Sequence, residues 1–264
     1  KAIAQAVGVA GASSTYSNKW VEVMAKDLVA HKGKSLVVVG DNQPPVVHAL
    51  AHAINAALGN VGQTVTYTDP LQANAEVSQI DGLKELVKDI DAGVVKMLVI
   101  IGGNPVYNTP SDVKLDKARL EKVPLRVHLG QSIDETGEIC HWHVNGKHFL
   151  ETWSDTRAFD GTVSIVQPLV EPLYDGKSAH QIVQLFAKEN FEKKELDIVK
   201  DYWKANGIAD EKAWRKAVHD GFVANSALPA KTVTASTGFL SQPTPAPTGS
   251  GTVEVSILPD PSVY

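Results

Sequence analysis

Cysteine is nearly missing from this chain, because among its 264 residues only Cys140 carries a thiol. A single cysteine excludes an internal disulfide framework. It also excludes an iron–sulfur cluster held by this chain alone, since such clusters take about four thiolates. Long apolar runs are missing too: the best candidate, 97–103, has the length of a strand and falls far below the roughly 18 residues that span a bilayer. The sequence therefore predicts no direct insertion into a membrane.

Neither sign of charge dominates the sequence. The formal net charge is -5, so a basic surface for nucleic acid is not expected. Hydrophobic residues make up 43% of the chain and charged residues 21%, which is the balance of an ordinary globular protein. The sequence contains no P-loop, no Gly-x-Ser-x-Gly nucleophile elbow and no His-Glu-x-x-His metal motif.

Both ends of the sequence predict a piece of a longer protein. The chain begins at Lys1 without a methionine, and it closes shortly after a strand-like alternation at 252–258. Dense Ser, Thr, Pro and Gly over 235–251 predict a linker. We therefore expect one domain over 1–224, followed over 225–264 by a linker and a terminal strand that lead into a region outside this sequence.

Helix-like and strand-like segments alternate through the first half of the chain. Apolar periodicity predicts strands at 35–39, 64–68, 95–101 and 125–129, and helices at 18–31, 46–58, 80–90 and 112–122. This order predicts an α/β fold with a doubly wound, mostly parallel sheet and helices on both faces.

The stretch 133–172 interrupts this order, because it has no sustained helical period. It contains Cys140, three of the nine histidines and two of the five tryptophans. We expect a long functional loop here, whose tryptophans either face a partner or belong to a core. Beyond it, periodicity predicts helices at 178–190, 193–206 and 210–220.

Candidate binding residues follow the predicted strands, since ligands of open parallel sheets bind beyond the carboxyl ends of the strands. Three loops qualify, at 40–44, 102–110 and 130–140. In the second, Gly102 and Gly103 permit close backbone approach, and Asn104 offers both amide groups to a nucleotide or phosphate. The same Gly and Asn-Pro residues also suit a plain turn at a strand end.

Other polar clusters in the central stretch have two interpretations each. The first set consists either of metal ligands or of histidines that are hydrogen-bonded within a loop, and its spacing matches no standard zinc pattern. Its members are Cys140, His141, His143 and His148. The second offers a cation site, acid–base groups or solvated loop acids: Asp134, Glu135 and Glu138. The third predicts an ion-pair network that fixes the loop: Asp155, Arg157 and Asp160.

Several segments in order resemble the molybdopterin oxidoreductase superfamily. They are SLVVVGDNQPP at 35–45, GGNP at 102–105, DET at 134–136 and HFLETWSD at 148–155. Further segments resemble one branch, the molybdopterin-oxidoreductase-like (B) subunit of bacterial alternative complex III, a quinol:electron-acceptor oxidoreductase. They are CHWH at 140–143, GTVSIVQP at 161–168, PLYDGKSAH at 172–180 and PDPSVY at 259–264.

The superfamily resemblance implies a Rossmann-like domain that helps to hold a molybdopterin guanine dinucleotide. Carried over to this sequence, the cofactor-contacting positions are Gly102, Gly103, Asn104 and Pro105 of one loop, with Asp134, Glu135 and Thr136 of another. The branch resemblance implies instead a domain without molybdopterin, which acts as a scaffold beside a second domain bearing iron–sulfur clusters.

Two functions therefore stand as expectations. The first is a non-catalytic scaffold domain that contacts the rest of its subunit and other subunits of a membrane respiratory complex. The second is a cofactor-binding domain of an active molybdenum oxidoreductase, of the formate dehydrogenase or polysulfide reductase type. The resemblance also implies a place on the periplasmic face of the bacterial inner membrane, and it supplies no catalytic or metal-ligating residue in this chain.

Overall fold

The computed structural model describes residues 1–188, 192–236 and 238–241, together with 253 and 255. Two compact units make up the chain: Lys1–Asp69 with Pro229–Tyr264, and Pro70–Leu228. The predicted strand at 252–258 and most of the predicted linker at 235–251 lie outside the described residues. The predicted division into 1–224 and 225–264 stays a prediction.

The first unit is built on helices. They are α1 (Ala2–Ala6), α2 (Lys19–Ala30) and α3 (Pro45–Ala57), with a 3-10 helix at Gly238–Ser241. The predicted helices at 18–31 and 46–58 are confirmed, and the side chain of Asn18 caps α2 by accepting from the Trp20 N–H at 3.2 Å. Small and aliphatic residues of all three helices form one buried cluster, which includes Ala4, Ala25, Ile54 and Leu58.

The predicted strands at 35–39 and 64–68 are wrong, because neither stretch forms a strand. The Asn55 side chain of α3 takes the place of a neighbouring strand. Its Nδ2 donates to the Val37 carbonyl at 2.8 Å, and its Oδ1 accepts from the Val37 N–H at 3.0 Å. Asn60 holds the start of the segment, since its Oδ1 accepts from the Gly33 N–H at 3.1 Å. A buried amide thus satisfies backbone groups that a sheet would otherwise pair.

The second unit contains a mixed arrangement of helices and strands around a parallel sheet. Its first elements are α4 (Gln79–Asp91), β1 (Met97–Ile101), α5 (Pro105–Asn108), α6 (Lys117–Leu120), β2 (Leu125–Gly130), α7 (Glu135–Glu138) and β3 (Trp142–Asn145). The three strands are parallel in the order β1-β2-β3, with Ile100 opposite His128 and His128 opposite His143. An α/β fold is therefore present, and the predicted strands at 95–101 and 125–129 are confirmed.

Two predicted elements need correction. The helix predicted over 112–122 covers only Lys117–Leu120, because Lys114 has a left-handed φ of 55° and Asp116 caps a new helix. The long irregular loop predicted over 133–172 contains β3, a 3-10 helix at Phe149–Glu151, and an antiparallel pair, β4 (Ser154–Arg157) with β5 (Val163–Val166). Strands of four residues are too short for their alternation to stand out in sequence.

Three helices complete the second unit, namely α8 (Ala179–Lys188), α9 (Glu195–Ala205) and α10 (Glu211–Asp220). They confirm the helices predicted at 193–206 and 210–220, and the one at 178–190 as far as Lys188; residues 189 and 190 lie outside the described part. Trp203 and Trp214 are buried with Val163 and Ile165 of β5. Within the described ranges, no helix is long and apolar enough to cross a membrane.

Candidate functional site

The loop after β1 turns sharply through its two glycines. Gly102 and Gly103 have φ values of +66° and +72°, a left-handed conformation that glycine adopts without strain. The Gly102 N–H still donates to the Leu129 carbonyl of β2 at 2.9 Å. The turn then delivers Asn104 to the carboxyl end of the parallel sheet, with Pro105 as the first residue of α5.

Asn104, Glu135 and Thr136 meet beyond the strand ends, as their positions after β1 and β2 led us to expect. The Asn104 Nδ2 donates to the Glu135 Oε2 at 2.6 Å, and the Thr136 hydroxyl donates to the Asn104 Oδ1 at 2.8 Å. The Thr136 hydroxyl also accepts from the Val106 N–H at 3.1 Å, and Thr136 is fully buried. Both amide groups of Asn104 are therefore bound by side chains of the same chain.

The Asp134 side chain is hydrogen-bonded to the backbone of α7. Its Oδ1 accepts from the Gly137 N–H at 2.8 Å, so this carboxylate is the N-terminal cap of the short helix. The same oxygen lies 4.0 Å from the His128 Nδ1. Of the predicted cofactor contacts, Asp134 and Thr136 thus have structural partners already, and Gly102 and Gly103 shape the turn.

A pair of histidines lies beneath this loop, and the sequence interpretation missed it. His128 is 1% exposed, its Nδ1 is 3.0 Å from the His143 Nδ1, and its Nε2 is 3.3 Å from the Gly103 carbonyl. Burial lowers the pKa of His143 below its ordinary 6.5, the neighbouring His128 lowers it further, and Asp134 opposes both. His128 lies inside β2 and His143 inside β3, and only the register of these strands makes them neighbours, so no local signal in the sequence marked the pair.

Two glycines make room for the histidine pair. A Cβ at Gly137 would lie 3.0 Å from the His143 Nδ1 and 3.1 Å from the His128 Nδ1. A Cβ at Gly130 would lie 2.6 Å from the His128 Cε1. Glycine is required at Gly130 because a side chain there would overlap the buried ring.

The other candidate ligands of the central stretch have separate partners. The His141 Nδ1 accepts from the Arg126 N–H at 3.1 Å, and the His148 Nδ1 accepts from the Leu150 N–H at 3.3 Å. Cys140 is half-buried, and burial raises the pKa of its thiol. Across the described ranges, no group of three or more His, Cys, Asp or Glu side chains is arranged to hold a metal ion. His141 and His148 are therefore histidines that are hydrogen-bonded within a loop.

The predicted ion-pair network of Asp155, Arg157 and Asp160 is not formed. Asp155 accepts instead from the Trp203 Nε1 at 2.8 Å and from the His180 Nε2 at 3.2 Å. The Arg157 guanidinium donates to the Gly161 carbonyl at 3.2 Å, and the Asp160 Oδ1 accepts from the Thr162 N–H at 2.8 Å. The loop is fixed by the backbone around Gly161, while Asp155 belongs to a cleft beside α8 and α9.

The two tryptophans of the central stretch differ in exposure. Trp142 is 67% exposed, whereas Trp153 packs against the core that contains Trp214, with ring centroids 6.1 Å apart.

Comparison with known proteins adds no relative: no protein-family model matches the chain, and no curated protein matches its sequence.

Proposed function

We propose that the chain is a scaffold domain from a subunit of a respiratory quinol oxidoreductase and that it performs no redox chemistry itself. The segments that resemble the B subunit of bacterial alternative complex III support this proposal. In it, the domain has the doubly wound Rossmann-like sheet of the molybdopterin oxidoreductase superfamily. Its partners are the remainder of the same subunit and neighbouring subunits, and electrons pass through iron–sulfur clusters of an adjoining domain on the periplasmic face of the membrane.

One observation carries the scaffold proposal. A loop that binds a dinucleotide must present free amide or backbone donors to it, yet the Asn104 amide is bound on one side by Glu135 and on the other by Thr136. Glu135 also places a carboxylate beside the Asn104 amide, and a carboxylate repels an anionic pyrophosphate. Both polar groups of the Asn104 side chain are thus taken up by the chain's own side chains.

The alternative is a domain that binds molybdopterin guanine dinucleotide in an active molybdenum oxidoreductase. It is favoured by the left-handed glycines at Gly102 and Gly103, whose backbone has space above it for a ligand. For binding, Asn104 would have to exchange its hydrogen bonds to Glu135 and Thr136 for bonds to the cofactor. The two proposals therefore differ in whether Asn104 contacts the chain or a ligand.

The test is the molybdenum and pterin content of the intact parent polypeptide, purified from its native host. The scaffold proposal expects neither molybdenum nor pterin, with iron present. About one molybdenum and one pterin per chain would overturn it. In that case Asn104→Ala should lower the pterin content, while replacing an exposed amide outside the three candidate loops, such as Asn74, should leave it unchanged.

A further inference from the structure

A cleft of about 360 Å³ opens in the second unit beside β4, α8 and α9. Its walls are mainly apolar, with Val183 and Ala187 on α8 and Ile198 and Tyr202 on α9. Cavities that bind small molecules have volumes of roughly 300 to 1,000 Å³. The cleft thus has the size for one ring with a short chain.

The floor of the cleft is a fixed set of polar groups. Trp203 is 3% exposed, and its indole N–H donates to the Asp155 Oδ2 at 2.8 Å. The other carboxylate oxygen is 3.2 Å from the His180 Nε2. The hydrogen bond from His180 is the main cause that lowers the pKa of Asp155, to which the Trp203 bond adds while burial opposes them. Asp155 is therefore ionised at neutral pH and orients the imidazole through its Nε2–H.

Arg157 also lines the cleft, and its guanidinium keeps donors that no acceptor in the described part of the chain takes up. The Arg157 guanidinium lies 5.5 Å from the centroid of the Trp203 ring, and of its donors only Nη1 forms a hydrogen bond, to the Gly161 carbonyl. The His180 Nδ1 has no hydrogen bond in these ranges either, because the ring bonds Asp155 through Nε2.

We propose that this cleft binds a small amphipathic carboxylate. The apolar body lies between α8 and α9, and the carboxylate pairs with the Arg157 guanidinium. A guanidinium matches a single carboxylate through two parallel N–H donors, and the apolar walls disfavour a heavily hydrated ligand such as inorganic phosphate. The ligand class is thus an arylalkyl or medium-chain alkyl monocarboxylate. The site is separate from the strand-end loop, so the inference does not depend on the proposed scaffold function.

The experiment is a titration of the isotope-labelled chain, followed by the signal of the Trp203 indole N–H in a ¹H–¹⁵N spectrum. The chain has five tryptophans, and a Trp203→Phe variant assigns the signal. The two probes are 4-phenylbutyrate and 4-phenylbutan-1-ol, which share an apolar body and differ in the carboxylate. We expect a saturable shift with the acid and binding of the alcohol that is weaker by about tenfold or more, the contribution of a charge-assisted hydrogen bond.

Two variants test the assignment of each part of the cleft. Arg157→Gln should bind the acid and the alcohol equally, whereas Arg215→Gln, which alters an arginine outside the cleft lining, should keep the preference. Ala187→Phe should weaken both probes because the added ring fills the apolar part. The proposal is overturned by no shift with either probe at roughly 10 mM, by equal binding of both to the unaltered chain, by a preference that survives Arg157→Gln, or by binding that Ala187→Phe leaves unchanged.

Discussion

His128 and His143 lie opposite each other on neighbouring parallel strands, with their Nδ1 atoms 3.0 Å apart. At this distance one Nδ1 donates a proton and the other accepts it, so one ring must carry no proton on Nδ1. The buried His128 also approaches the Gly103 carbonyl through Nε2, which gives that nitrogen the role of donor. Protonating both rings fully would place two N–H groups against each other. The pair is therefore stable with at most one imidazolium.

Stability of the second unit should fall in mild acid because of this pair. The pKa of His143 lies below its ordinary 6.5 in the folded chain, so the unfolded chain binds its proton at higher pH. The contribution of His143 is then complete above pH 6.5 and is lost as the pH falls below that value. Urea unfolding between about pH 7.5 and 5.5 should show this loss.

The variant His143→Gln should remove the acid-dependent loss, since an amide keeps hydrogen-bonding capacity but does not titrate. His48 is a matched control, because its ring has no hydrogen bond within the described residues, and His48→Gln should retain the pH profile of the unaltered chain. A flat profile in the unaltered chain, or the same slope in His143→Gln, would contradict the role given to the pair.

Replacing Thr136 with valine should destabilise the second unit, although the two side chains have nearly the same volume. The substitution removes the hydroxyl that accepts from the Val106 N–H and donates to the Asn104 Oδ1. Leaving these buried groups unpaired costs about 1–3 kcal/mol in the free energy of unfolding. Thr156 on β4 is exposed and has no side-chain hydrogen bond in the described part, so Thr156→Val should change the free energy by less than about 0.5 kcal/mol. Equal effects of the two substitutions in denaturant unfolding would sink the prediction.

Replacing Asn55 with leucine should free the segment that runs along α3. Asn55 is 3% exposed and bonds both the N–H and the carbonyl of Val37. Without the amide these groups lose their partners, at a cost of about 2–4 kcal/mol. Hydrogen exchange at the Val37 amide should accelerate strongly in Asn55→Leu and remain slow in the exposed control Asn42→Leu. Fast exchange at Val37 in the unaltered chain would show that Asn55 does not protect it.

The ion pair between Lys147 and Glu195 joins the chain after β3 to the start of α9. Its side chains are 15% and 12% exposed, and the Nζ to Oε1 distance is 2.5 Å. Removing one partner leaves a nearly buried charge, so Lys147→Met should cost about 3–5 kcal/mol. The double variant Lys147→Met with Glu195→Leu should cost clearly less than Lys147→Met alone.

An exposed pair provides the comparison for this cycle. Lys84 and Asp81 are 53% and 67% exposed and 3.9 Å apart, so Lys84→Met should cost less than about 1 kcal/mol. Thermal or denaturant unfolding of the three variants measures both effects. A double variant that is less stable than Lys147→Met would mean that the charges contribute through other neighbours.

The sequence predicted best those features that local chemistry decides. The helices at 18–31 and 46–58 and the strands at 95–101 and 125–129 follow from periodicity along the chain. The strand at 35–39 failed because a side chain, Asn55, satisfies the backbone of Val37 from a neighbouring helix. No pattern along the chain reports a partner 18 residues away.

The histidine pair and the short strands escaped prediction for a different reason. His128 and His143 become neighbours only through the register of β2 with β3, and β3 has four residues, WHVN, whose alternation is too short to identify. The sequence predicted that Asp155 pairs with Arg157, a near neighbour along the chain. Its actual hydrogen-bond partners are His180 and Trp203, which lie on helices further along the chain. Residues far apart in sequence become partners through the register of strands or the placement of a helix, and neither can be read from the composition of the chain.

The first unit joins residues 1–69 to residues beyond 228, and Phe239 and Leu240 pack against its helical core. During synthesis the core of the first unit cannot be completed until Phe239 and Leu240 have been made, and the whole of the second unit is made before them. At roughly 5–20 residues per second, the ribosome takes on the order of 8 to 30 seconds to translate the intervening stretch. The second unit is continuous and can fold in that interval. The helices of the first unit therefore spend this time with part of their apolar surface uncovered.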